Sequence, residues 1–418
     1  MMKRFAVSLL MACTLALALA LAFPAVAARK PAQTPPDKAA SVASVDAAFK
    51  IGYLEWSADP RYDEERVKAQ YPLQPWGRPG SGAEQAIKET AFSGAALKLK
   101  FVLDKRSGAD AAELSDAIKQ MVADGVHYFI IDASAEIVAD VARRTASLPI
   151  ALLNISAPED SLRGVDCQSR LLHVIPSYSM LTDSLAQYLV LRRWINVLVL
   201  RGPNSGDLEM ANAWARSSKR FGLKIVDTKP FKLGQDPRER ELNNLQLITG
   251  SKDYDAVFVA DADGEFARGV PYQTAKPRPV VGAAGLVADG WHWSWERDGA
   301  RQLNNRLIKA AGRQVTSYDW AAWMAVKSVV EAVVRSGSPD FAKSYAMLRG
   351  PDIVLDGFKG FRMGYRPWDG QLRQPILLNT GNWAIALAPV EGFVDAANNL
   401  DTLGVDAKET ACKTGALK

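Results

Sequence analysis

INVLVLRGPNSGDLEMANAWARSSKRFGLKIV, residues 195–226, reads as strand, helix and strand in immediate succession. Residues 195–200 are apolar apart from Asn196, and 197–200 run without a break, the pattern expected of a strand covered by helices on both faces. Residues 208–221 carry an apolar stripe at helical spacing, Gly222 falls where a helix should stop, and 224–226 opens the next strand. Two strands joined through a helix form a parallel, right-handed βαβ unit.

The same rhythm extends both ways. Strands are expected at 49–54, 97–103, 127–131 and 150–153 before this stretch, and at 256–260 and 279–281 after it. Between them, residues 110–124 place Ala111, Leu114, Ile118, Met121 and Val122 on one stripe ahead of Gly125, and 184–193 behaves similarly. Eight strands are many for one sheet, and the run divides near 175–178. The expected fold is α/β, with two doubly wound parallel-sheet lobes joined by a multi-stranded hinge. Residues 47–175 with 285–349 would form the first lobe, helices at 299–311 and 320–336 returning to it. Residues 176–284 with 350–400 would form the second, and 401–418 a loose tail.

Ahead of this body, Lys3 and Arg4 precede an apolar stretch over 5–23, then Pro24 and the small residues Ala25-Val26-Ala27. This is the layout of an export signal cleaved after Ala27. A lipoprotein site at Cys13 and a retained anchor are the competing readings; Pro24 and the small residues favour cleavage. Residues 28–46, rich in Ala, Pro, Ser and Lys, read as a tether. Cleavage would remove two basic and no acidic residues, taking the formal charge from +5 to +3, which gives no reason to expect nucleic acid. No second long apolar run follows, so the mature chain is not expected to insert stably in a membrane. Cys167 and Cys412 would remain in an oxidising compartment, and whether they pair stays open.

The order of elements resembles the type I periplasmic binding proteins of ABC transporters, the class containing the branched-chain amino-acid receptors. FKIGYL at 49–54 resembles their opening strand, GAEQAIK at 82–88 their first helix, and 194–200 with 221–226 the opening of their second lobe. More narrowly, AGLV at 284–287, WHWSWE at 291–296, DWAAWMAV at 319–326 and FRMGYRPWDGQLRQP at 361–375 look like the binding proteins encoded beside PQQ-dependent alcohol dehydrogenase systems. The resemblance implies a periplasmic receptor that captures a small molecule between two lobes and delivers it to an ABC permease and its ATPase. A sensor or accessory protein of a dehydrogenase system is the alternative output.

Site residues follow position by position. DASAE at 132–136 matches the serine-bearing loop that holds the ligand carboxylate in amino-acid receptors, implying Ser134 as a polar contact; a helix N-cap is its competing role. NISAP at 154–158 matches the next ligand loop and implies Ser156, with the family's threonine falling on Ala157. Two family tyrosines fall within RGPNSG at 201–206 and ADADGE at 260–265, and the acid that holds the α-ammonium falls near Ala283 and Ala284. An ammonium left unpaired in a closed cleft is costly, so an ordinary amino acid is not the expected ligand.

The residues themselves supply further candidates. Asp261 and Asp263, with Glu265, follow a strand end, where they could hold a hydroxyl-rich or cationic ligand, or a hard ion such as calcium or a lanthanide through oxygen ligands; a solvated turn is the alternative, and DADGE lacks EF-hand spacing. Trp291, Trp293 and Trp295 alternate with polar residues, so Trp291 could wall the cleft or sit in the core. Trp320 and Trp323 are expected in the core. The segment 55–81 is longer than ordinary connections and should border the cleft, with a surface Ω-loop as the equal alternative. His127, His173 and His292 are the only histidines, and none lies in a hydrolase or zinc signature. No Walker loop or GxGxxG is present. Neither an enzyme nor a cofactor is expected.

Overall fold

The computed structural model describes residues 47–232 and 243–413. The expected export signal and tether lie outside these residues, as does the chain end from 414. Among the described residues no helix is long and apolar enough to cross a membrane.

Five parallel strands, β1 (Ala47–Trp56), β2 (Leu99–Gly108), β3 (Tyr128–Asp132), β4 (Ala151–Asn154) and β5 (Leu171–His173), form the first sheet in the order β2-β1-β3-β4-β5. Period-two alternation divides their side chains between two cores. A short helix, α1 (Glu64–Ala69), follows β1. Ile130 and Leu153 face a core shared with α2 (Gly80–Lys88) and the helices over Ala300–Ala311 and Ser317–Ser336, whereas Phe129, Ile131 and Leu152 face α3 (Ala111–Ala123) and α4 (Ala135–Arg144). Covering both faces is what makes YFIID of β3 buried throughout. Asp110 starts α3 by accepting the Ala112 and Glu113 N–H groups at 2.8 and 2.9 Å.

The second sheet holds β6 (Asn196–Arg201), β7 (Lys224–Pro230), β8 (Ala256–Ala260) and β9 (Val280–Gly282), all parallel, in the order β7-β6-β8-β9. Helices α5 (Tyr178–Leu191), α6 (Ser205–Phe221) and α7 (Leu245–Gly250) accompany it. In its core the Trp214 indole stacks on Phe258 with centroids 4.2 Å apart. The reading of 195–226 holds: Asn204 and Asp207 form a capping box at the start of α6, and Gly222 closes it at φ +72°, a conformation that favours glycine.

The chain passes between the cores three times. Ile175 belongs to the first and Tyr178 to the second; Ala288 lies in the second and Trp291 in the first; Leu372 lies in the first and Ile376 in the second. The later crossings pair as antiparallel strands β10 (Val287–Asp289) and β11 (Ile376–Asn379), with β12 (Ala384–Ala388) at the edge. Helices α8 (Ala300–Ala311), α9 (Ser317–Ser336) and α10 (Phe341–Arg349) complete the first lobe, and Trp320 and Trp323 sit in its core.

Two segments differ from the sequence reading. Residues 355–373, expected with the second lobe, pack on the first through Leu355, Met363, Tyr365 and Leu372, because Tyr365 also reaches Ser328 of α9 with its hydroxyl at 3.1 Å. As far as residue 413 the tail is fastened rather than loose. Asp401 is bound by Arg366 and Arg373, the Gly404 N–H donates to Asp183 at 2.7 Å, and Cys412 is disulfide-bonded to Cys167.

Candidate functional site

Between the lobes lies a cavity of about 400 Å³, bordered by loops that follow strand ends in both sheets, where ligands gather in open α/β architectures. The first lobe contributes Ser134, Pro158, Glu159, Ser317 and Tyr318; the second contributes Tyr178, Leu181, Asn204, Ser205, Gly206, Ala262 and Asp263. Asp289 and Gly290 line it from the second crossing, and Pro60, Arg61, Leu73 and Gln74 from the long segment after β1. Helices α4, α5, α6 and α9 all begin here, so their N-terminal N–H groups are concentrated around the space.

The charges around it are unequal in freedom. Arg61 is committed: its guanidinium meets Asp59 at 2.5 Å, donates to the Ser156 carbonyl at 2.8 Å, and lies 3.7 Å from Asp132. Asp263 is paired to Arg66 at 2.9 Å and accepts from the Asn204 amide at 3.0 Å. Glu159 is different, because its Oε2 is buried without a hydrogen-bond partner, and burial pushes its carboxyl pKa up. Burial likewise raises Asp289 to about 6, opposed first by a hydrogen bond from the Ser317 hydroxyl. An adjoining cavity of about 630 Å³ shares Arg61, Ser134, Glu159, Ser205 and Gly206 and adds Glu209, which burial and then Glu159 raise to about 7. Hydroxyls, aromatic rings, apolar side chains and acids slow to ionise thus surround the space, and its arginine is already neutralised.

The five sequence candidates separate into two groups. Ser134 lines both cavities; it occupies the N-cap position of α4, yet its hydroxyl makes no capping bond. Asp263 lines the main cavity, with both carboxylate oxygens engaged. Ser156 is fully buried: its hydroxyl donates to the Ala133 carbonyl at 3.0 Å and accepts the Ala133 N–H at 2.9 Å. It therefore clamps the loop after β3 to the loop after β4 instead of facing the space. Asp261 is 3% exposed and accepts the Ala267 N–H at 2.8 Å, bracing its own turn. Trp291 is also fully buried; its indole N–H donates to Asn304 at 2.8 Å and its ring stacks on Trp320. The strand that would have placed three indoles on one face ends at Asp289. Among the described residues no group of three or more His, Cys, Asp or Glu side chains is placed to hold a metal ion.

Glu159, Tyr178, Asp289 and Tyr318 escaped sequence reasoning. Proximity to a strand end or helix start was the available signal for each, but many residues share it. For Arg61, Leu73 and Gln74 the length of the segment was the signal.

No protein-family model matches this chain, and no curated protein matches it. Solved structures do. An ABC transporter substrate-binding protein from Sphaerobacter thermophilus aligns with a TM-score of 0.67 at 14% identity, covering 82% of this chain and 98% of that one. A branched chain amino acid ABC transporter periplasmic ligand-binding protein from Burkholderia xenovorans LB400 aligns at 0.64 and 15%, covering 81% and 95%. A solute binding protein of an ABC transporter from Rhodopseudomonas palustris BisB5, in complex with 3,4-dihydroxy benzoic acid, aligns at 0.61 and 14%, covering 81% and 97%. The parallel-sheet lobes, the three crossings and these alignments together establish the type I periplasmic binding-protein fold for this chain.

Proposed function

We propose that this chain is a periplasmic solute-binding protein that captures a small molecule between its lobes and presents it to an ABC permease and its ATPase. The observation that carries the reading is the cavity walled by both lobes. A solute touching Ser134 and Tyr318 on one side and Tyr178 and Ser205 on the other binds the closed arrangement better than an open one, and so shifts the population toward it. The finer reading is that the solute belongs to PQQ-dependent alcohol oxidation, supported by the resemblance of 284–296, 319–326 and 361–375 to the binding proteins of those systems.

The cavity's chemistry narrows the solute class. Among the described lining residues the one cation, Arg61, is spent on Asp59, Asp132 and a carbonyl, so a ligand carboxylate would meet no free cation there and would face Glu159 and Asp289. Leu73, Ile175, Leu181 and the two tyrosines suit an apolar body. Ser134, the helix N-termini and the two carboxyls suit a hydroxyl, which both donates and accepts. An alcohol or other neutral hydroxylated solute fits best.

The test is a thermal-shift and calorimetric screen on protein stripped of carried-over solute by unfolding and refolding, using matched sets such as benzyl alcohol, benzylamine and benzoate with their butyl counterparts. A solute at 100 times its Kd adds about 2.7 kcal/mol to stability. Alcohols should shift the midpoint saturably and carboxylates should not. Preference for carboxylates would overturn the class, and silence across a broad panel of organic solutes would overturn the receptor reading.

A further inference from the structure

The segment 57–79 is rooted in one lobe and docked on the other. At its roots, the Tyr62 hydroxyl sits 2.8 Å from both carboxylate oxygens of Asp132 at the end of β3. Arg78 lies over the Tyr62 ring at 3.9 Å and donates to the Trp56 carbonyl at 2.9 Å, and Arg313, just before α9, holds the Gly77 carbonyl at 3.0 Å. All of these partners belong to the first lobe.

Its tip meets the second. Arg66 pairs with Asp263 at 2.9 Å, the Gln74 amide donates to the Ala262 carbonyl, and Leu73 packs against the second core. Arg268 lies 5.5 Å from the Tyr71 ring centroid. Gly264 has φ +81°, and a Cβ there would stand 2.9 Å from the Tyr71 Cβ, so glycine lets the tip approach. Gln70 and Leu73 themselves have φ of +50° and +62°, a left-handed conformation that non-glycine residues hold only when surrounding contacts compensate it. Gln70 is the C-cap of the short helix over Glu64–Ala69, and at Leu73 the docking of the tip supplies those contacts.

We infer that residues 57–79 form a strap that fastens the two lobes in the closed arrangement without any solute, with Arg66, Leu73 and Gln74 as positioning residues of the cavity. Leu73 and Gln74 line the cavity and grip the second lobe at once, so the wall they make stays in place when no solute bridges the lobes. Closure then precedes binding, the site is preorganised, and a solute enters by transient release of the tip. The inference concerns the unliganded protein and does not depend on the identity of the solute.

Small-angle X-ray scattering of the stripped, unliganded protein tests it. The wild-type curve should match the structure. Leu73→Asp, which puts a charge against the second core, should lower the closed-to-open ratio more than tenfold and raise the radius of gyration. Arg66→Ala should lower the ratio by about two- to fivefold, because its ion pair is partly exposed. A far-UV spectrum unchanged from wild type certifies the fold of each variant; if Leu73→Asp fails that control, Arg66→Ala with Gln74→Ala, both polar surface changes, takes its place with the same expected direction. A wild-type protein already open, or folded variants as closed as wild type, would overturn the inference.

Discussion

Replacing Asp289 by Asn should make the protein relatively more stable as pH rises. Asp289 ends β10 at the lobe crossing and faces the cavity, and burial lifts its pKa from 3.8 to about 6. Well below pH 3.8 the carboxyl is protonated in both the folded and unfolded chain and contributes nothing to the pH dependence. Between the two values the folded state still holds a proton that the unfolded state has released, so stability falls as pH rises through this window and levels off above about 6. The full shift corresponds to about 3 kcal/mol at 1.36 kcal/mol per unit. Because the carboxylate borders a cavity that solvent can enter, it keeps part of its hydration, and about 1–3 kcal/mol is the expected range. Asn cannot ionise but can still accept from the Ser317 hydroxyl. Urea unfolding of both proteins at pH 4, 5, 6 and 7.5 should show the variant gaining on wild type by that amount between the first and last values, with half of the gain near pH 5. A stability difference constant across the series would refute the assignment of a buried, reluctant carboxyl to this position.

His292 should produce the opposite slope in an overlapping window. Burial lowers it from 6.5 to about 4, so the unfolded chain binds a proton that the folded chain refuses and stability is lost as pH falls below about 6.5; His292→Gln should flatten wild-type urea-unfolding profiles there by about 1–3 kcal/mol. Ser156→Ala orphans the Ala133 N–H and carbonyl and should cost about 1–3 kcal/mol in urea unfolding. Ser134→Ala, at a position whose hydroxyl makes no capping bond, should change stability by less than about 0.5 kcal/mol while weakening solute binding in calorimetry. Cys412→Ser opens a loop spanning 245 residues of sequence, a loss of up to about 5 kcal/mol in the chain-entropy model; wild type under reducing conditions should reproduce the variant's urea midpoint.

The fold was legible wherever burial on both faces makes a strand read as a continuous apolar run. β3, β6 and β8 were found on this signal. β5 was missed because it is three residues long, LLH, and its histidine interrupts the apolar run that continues at Val174 and Ile175. The placement of 355–373 was illegible for another reason: short strands joined by turns can pack on either lobe, and the deciding contacts, such as Tyr365 to Ser328, span distant parts of the chain. The site was harder still. A serine near a strand end can turn toward solvent, a ligand or a neighbouring backbone, and Ser134 and Ser156 occupy comparable positions with opposite outcomes. The difference lies in Ala133, whose two backbone groups capture Ser156, a tertiary fact that periodicity does not encode. Asp261 and Asp263 divide similarly, one taken by Ala267 and the other presented to the cavity. The length of 55–81 was a usable cue, because a connection that long in a compact lobe has to be held somewhere.

The most direct measurement on the receptor reading is to purify the native protein from the cells that produce it, release any bound small molecule by denaturation, identify it by mass spectrometry, and rebind it to refolded wild type and to Ser134→Leu. The substitution projects a larger side chain into the cavity without breaking a capping bond. The account predicts a neutral hydroxylated solute at close to one per chain, which rebinds wild type and loses at least tenfold in affinity for the variant. Finding no solute, or one that binds both proteins equally, would contradict it.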